Sequence, residues 1–244
     1  SEMCIRDRWT TWEAFADAME TVRVNGEAMG YYSYGSGQGS IRMFNAALAA
    51  TPAGAEMLKG PLTADAINSE EFADAFRTVA TLDQQNGSAN SSVNANDFAA
   101  DFNNGLSAVF INGVWGASQF AGSDNFVSCI YPNSVAISSA NTGLYVANDL
   151  SDAQKELALE FIKYMTSEEV QSRYFLETSS NPINENVDIQ KLAQESGDPT
   201  VLKLAEACDK CNKADTIVLA IDVCWGNDVG GALQNKFAEC AVAG

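Results

Sequence analysis

The sequence predicts an α/β protein with room for one large or two modest domains, and three observations carry that prediction. Apolar stripes at helical spacing alternate with short runs rich in β-branched and aromatic residues, the alternation expected of helices layered on a sheet. The chain has 244 residues, above the usual single-domain size. It is 46% hydrophobic and 9% aromatic, enough for a packed core and too much for a disordered chain.

The elements follow in order. Thr10 or Thr11 caps a first helix whose buried face is Trp12, Phe15, Ala16, Met19 and Val22, stopped by Asn25-Gly26. A strand over 28–34 runs into the glycine-rich turn Gly35-Ser36-Gly37-Gln38-Gly39, and a helix over 40–50 follows. Asn68 with Glu71 signals another cap, for a helix with Phe72, Phe76, Val79 and Leu82 on its inner face, ending at Asn86-Gly87. Residues 86–96 read as an exposed loop rich in Asn and Ser. A short helix through Phe98 and Phe102 precedes a strand at 107–111, and the turn Asn112-Gly113 leads to Trp115. Short strands are expected at 127–131 and 143–147. Ser151 with Gln154, then Thr166 with Glu169, mark capping boxes for two consecutive helices. Pro182 breaks the chain; helices are expected over 190–195, 199–210 and 230–241, with a β-rich run at 216–223.

Charge and residue usage narrow the function. The net charge of −18 comes without any Lys/Arg cluster, so no nucleic-acid partner is expected. Histidine is absent, which removes the commonest general base and every Ser-His or Cys-His nucleophile pair. A glycoside hydrolase would need two carboxylates flanking a cleft, and no such pair can be nominated. Glu70-Glu71 and Glu168-Glu169 sit in helix first turns, where the macrodipole explains them. Cys4, Cys129, Cys208, Cys211, Cys224 and Cys240 include one C-x-x-C, but their spacing is irregular for zinc. Buried or free thiols, with room for a disulfide, are expected; no metal and no cofactor is. No run of about 18 apolar residues is present to span a membrane.

Four blocks carry a resemblance. Thr10-Thr11-Trp12-Glu13-Ala14-Phe15 starts a helix. Phe102 to Trp115, FNNGLSAVFINGVW, ends a strand on a turn and a tryptophan. The third block runs from Ala153 to Arg173 and includes Lys155, Ala158, Phe161, Lys163, Tyr164, Met165, Ser167, Glu169 and Gln171. The fourth is Ser180-Asn181-Pro182-Ile183. In this order and spacing they resemble the family 1 extracellular solute-binding proteins of ABC transporters, the maltose-binding-protein-like group. Ser107 and Val109 are mild departures, and the match loosens after Asn212.

The resemblance implies a periplasmic-binding-protein-like type II fold, two α/β lobes joined by a hinge, with the first lobe incomplete here. Residues 9–142 would be second lobe, 143–180 a return segment belonging to the first lobe, and 181–244 the C-terminal part of the second. Residues 1–8 resemble the translation of a sequencing adapter and are set aside. The implied role is that of a monomeric, non-enzymatic subunit of an ABC importer. It would lie outside the cytoplasm, periplasmic or lipid-anchored, and pass a sugar or oligosaccharide from an interlobe cleft to the permease. A polyamine- or peptide-binding protein is the alternative.

A sugar offers apolar C–H faces and a hydroxyl rim, which suit an aromatic plate with amide or carboxylate neighbours. Trp115, beyond a strand end beside Asn112, fits that description. The resemblance also sets Tyr34, Ser36 and Gln38 at a strand end bordering the cleft. Trp225 with Asn227 and Asp228, after the strand-like run, reads either as a sugar contact or as a helix cap. Trp12, in line with Phe15 and Met19, is expected in the core.

Overall fold

The computed structural model of the chain describes residues 9–25, 29–33, 38–86, 95–120, 126–139 and 143–242. The chain divides into two compact units, the first comprising Ser1–Asn112, Cys129–Ala140 and Lys210–Gly244, the second Gly113–Ser128 and Asn141–Asp209. The second unit thus takes in all of 143–180, continues to Asp209, and adds 113–128.

In the first unit, helix α1 (Trp12–Asn25) starts where the Ala14 N–H donates to Thr11 Oγ1 at 3.2 Å, and it buries Trp12, Phe15 and Met19 as the periodicity requires. Strand β1 (Met29–Ser33) is parallel to a later strand, so a long crossover must intervene. The crossover begins with α2 (Gln38–Ala49), which supplies Met43, Phe44 and Leu48 to the core. Phe44 is fully buried among the rings of Phe72, Phe76 and Phe237, with centroids 5.0, 6.4 and 5.8 Å away. Two short helices not anticipated from the sequence follow, α3 (Pro52–Met57) and α4 (Ala64–Ile67), capped by the Thr51 and Thr63 hydroxyls.

Helix α5 (Glu70–Asn86) is capped by Ser69, whose hydroxyl accepts from the Phe72 N–H at 3.2 Å, and not by Asn68. Asn68 closes α4 instead, donating from Nδ2 to the Ala64 carbonyl. Helix α6 (Ala95–Asn103) ends at Gly105, which takes the left-handed φ of +75° before β2 (Ser107–Ile111). The β1–β2 register pairs Met29 with Ser107 and Ser33 with Ile111.

The strand expected at 127–131 does not form; Tyr131 makes only an isolated bridge to Val135. Pro132, followed by Asn133 and Ser134 at positive φ, interrupts the run, and strand β3 (Val135–Ser138) begins beyond it. The strand expected at 143–147 is also absent, because no described segment pairs with it.

In the second unit, residues 114–120 wind into 3-10 helix. Helix α7 (Asp152–Met165) opens on the expected Ser151–Gln154 capping box. Helix α8 (Glu168–Thr178) is capped by Ser167, while Thr166 closes α7. Gln171 ties the next loop down, donating to the Met165 carbonyl at 2.8 Å and accepting from the Ile183 N–H at 3.0 Å. Helices α9 (Ile189–Ser196) and α10 (Pro199–Asn212) pack Ala193, Leu204 and Cys208 around the fully buried Phe175.

Strand β4 (Thr216–Leu219) returns to the first unit and pairs parallel with β3, Val135 with Thr216 through Ser138 with Leu219. The β-rich run does not continue to Val223: Ala220 turns the chain into the one-turn helix α11 (Ile221–Cys224). Helix α12 (Asn227–Val242) then buries Phe237.

Candidate functional site

Parallel strands all end on the same edge of their sheet, and open α/β sheets bind ligands beyond that carboxyl edge. β1 and β2 finish side by side at Ser33 and Ile111. β1 leads toward Tyr34, Ser36 and Gln38. Tyr34 and Ser36 lie outside the described residues, and Gln38 is placed only as the first residue of α2. β2 leads directly to Asn112, half-buried at the end of the first unit.

Trp115 belongs to the second unit and is 55% exposed. Its indole lies back over Gly113, so that a Cβ at Gly113 would collide with the six-membered ring. Glycine is needed here for that close approach. The turn is anchored from within: Ala117 is 8% and Phe120 6% exposed. Phe120 meets Phe126 edge-on at 4.8 Å, and Lys203 also contacts Phe126. The Lys203 ammonium lies 5.0 Å from the Phe126 ring centre and donates to the Phe126 carbonyl at 3.0 Å. An exposed indole on a turn anchored by buried Ala117 and Phe120 offers an apolar plate on which a ligand face can stack. Phe126 and Lys203 carry no sequence signal for this role, because their pairing spans 77 residues.

The structure places Trp225 in the core of the first unit. It is 8% exposed, stacks on Phe72 at 6.2 Å, and donates its indole N–H to the Met57 carbonyl at 3.2 Å. Its faces and its donor are already engaged in the core of the first unit. Asn227 and Asp228 are exposed at the start of α12, where an amide and an acid suit the positive end of the helix. Trp12 is buried, as expected.

Beyond the end of β4, Arg42 and Asp222 form an ion pair at 2.5 Å. The hydrogen bond from Arg42 holds the Asp222 carboxyl below the usual aspartate range. Beside them Asn45, fully buried, accepts from the Ile221 N–H at 2.9 Å and donates to the Leu219 carbonyl at 3.3 Å. These residues brace the strand end. Burial pushes the Cys211 and Cys224 thiols up, away from thiolate. Cys211, Cys224 and Cys240 are free thiols, and no grouping of acids and cysteines suited to a metal occurs among the described residues. Among them, too, no helix is long and apolar enough to cross a membrane.

The model of the bacterial extracellular solute-binding protein family matches residues 5–198. No curated protein sequence matches the chain. Among solved structures, a Streptococcus pneumoniae solute-binding protein in complex with the blood group A-trisaccharide superimposes with a TM-score of 0.86 at 39% identity, covering 97% of this chain and 60% of its own. A chitin oligosaccharide binding protein gives 0.68 at 20% identity, covering 95% and 60%. The cyclic alpha-maltosyl-1,6-maltose binding protein of Arthrobacter globiformis gives 0.59 at 18% identity, covering 95% and 59%. The last two share the fold. The chain spans 60% of the length of the pneumococcal structure that it matches.

Proposed function

Because the chain belongs to the bacterial extracellular solute-binding proteins, we propose that it is the sugar- or oligosaccharide-binding subunit of an ABC importer, working outside the cytoplasm and handing its ligand to a membrane permease. The observation that carries this reading is Trp115, an exposed indole lying over Gly113 a few residues after β2 in sequence. A sugar's C–H face stacks on such an indole, and an amide such as that of Asn112 suits hydroxyls by its chemistry alone. The trisaccharide carried by the 39%-identical pneumococcal relative supports the same ligand class. In this role the protein binds its ligand and releases it unchanged. Asn227 and Asp228 remain candidates for polar ligand contacts; Trp225 does not.

Calorimetric titration with neutral oligosaccharides, including the blood group A-trisaccharide, and in parallel with a polyamine and a peptide, tests the ligand class. Heat saturating with a sugar and absent with the other two is expected. Saturation by the polyamine or the peptide alone contradicts the proposal.

A further inference from the structure

The turn that carries Trp115, Val114–Phe120, is a 3-10 helix of seven residues. Hydrogen bonds in that geometry are poorer than in an α-helix, and runs seldom exceed about four residues. A stretch of this length keeps its shape through what its side chains rest on. At three residues per turn, Val114, Ala117 and Phe120 form one row. Val114 and Ala117 pack into the cluster around Phe175, to which α10 contributes Val201, Leu204, Ala205 and Cys208. Phe120, 6% exposed, rests edge-on against Phe126. Trp115 lies off this row and is 55% exposed. The direction of its indole therefore follows from how the row is seated.

Lys203 holds the far end of that seat. It extends from the same α10, half-buried, with its ammonium 5.0 Å from the centre of the Phe126 ring and donating to the Phe126 carbonyl at 3.0 Å. One side chain thus engages both the ring and the backbone of the residue on which Phe120 rests. Turn, ring and lysine all belong to the second unit. Other lysines behave differently. Lys59, Lys163 and Lys236 each meet a glutamate three residues away, in exposed pairs of small net worth. Lys203 instead reaches 77 residues back along the chain, to a ring and a carbonyl, in a protein with 32 acidic residues. A half-buried cation over a ring, with a hydrogen bond to the same residue, ties two segments together more firmly than an exposed ion pair does.

We infer that Lys203 is a positioning residue for the sugar site. Without touching ligand, it sets, through Phe126 and Phe120, the angle at which Trp115 meets a sugar. The inference rests on Trp115 being the plate on which the sugar stacks.

The test compares Lys203→Met, which keeps the aliphatic stem and removes the ammonium, with Lys203→Arg, which keeps a cation and a donor. Two readings are taken on the whole chain. One is the indole N–H resonance of Trp115 in heteronuclear NMR of the unliganded protein, assigned with Trp115→Phe. The other is affinity for the blood group A-trisaccharide by calorimetry. Lys203→Met should move the Trp115 resonance, leave that of Trp225 in place, and weaken binding about tenfold. Its thermal midpoint should stay within a few degrees of wild type. Lys203→Arg should restore both readings. A Trp115 resonance that stays put in Lys203→Met overturns the inference. So does a loss of binding that comes with a matching fall in midpoint and that arginine does not rescue, the mark of a role in stability alone. Full affinity in Trp115→Ala overturns the sugar reading and the inference with it. Full affinity in Lys203→Met, when Trp115→Ala has lost binding, overturns the inference alone.

Discussion

Trp115 and Gly113 act as a pair: the indole owes its position to the missing Cβ. Gly113→Ala pushes the ring, the movable partner, off its seat without disturbing backbone packing. We expect sugar affinity to fall while stability stays within about 0.5 kcal/mol of wild type, checked by titration alongside urea unfolding. Asn45 is the opposite case, buried with both ends of its amide engaged. Asn45→Ala strands the Ile221 N–H and the Leu219 carbonyl, and a loss of about 2–3 kcal/mol in urea is expected. Asp222 adds a pH dependence whose sign is fixed by its lowered carboxyl, the Arg42 hydrogen bond being the main cause. A depressed folded value stabilises above the unfolded value of about 3.9, and that stabilisation disappears as pH falls from there through the folded value. The stability gap between wild type and Asp222→Asn should therefore be constant near neutral pH and close below about pH 4; a gap that widens on acidification contradicts the assignment.

At the scale of elements, helix starts show what sequence can and cannot decide. Ser151 with Gln154 three residues on was legible as a capping box, and the box forms. Ser151→Ala should cost about 1 kcal/mol, seen as faster amide exchange in the first turn of α7. At Asn68-Ser69 and Thr166-Ser167 two cap formers are adjacent, and each expectation fell on the first. In both pairs the first residue closes the preceding helix, as the Asn68 and Thr166 hydrogen bonds to Ala64 and Ile162 carbonyls show. The second then caps the next helix, through Ser69 and Ser167. Strand β3 was missed for a comparable reason. Residues 127–131 and 135–138 have similar apolar composition, and the choice between them is made by Pro132 and the left-handed Asn133 and Ser134. For 143–147 the β-rich composition did not make a strand, because a strand exists only with a partner and no described segment pairs there.

For the whole molecule, the α/β class was legible because alternating helices and strands follow from periodicity alone, and the motif order carried the family. The site was legible only in part. The strand, turn and glycine before Trp115 are local in sequence, so its exposed position could be anticipated. The stretch Trp225-Gly226-Asn227-Asp228 reads equally well as a sugar contact or as a helix cap. What decides it is the Met57 carbonyl, 168 residues away, and the ring of Phe72. The two tryptophans therefore provide the most direct test of the central claim, read as sugar affinity by calorimetry and as stability by thermal unfolding of the unliganded chain. Trp115→Ala should lose about 2–4 kcal/mol of binding, roughly 30- to 1000-fold, and leave the thermal midpoint in place. Trp225→Ala should lose about 3–5 kcal/mol of stability through the cavity it opens. The account is contradicted if Trp115→Ala melts the fold while the protein that remains folded binds sugar as wild type does.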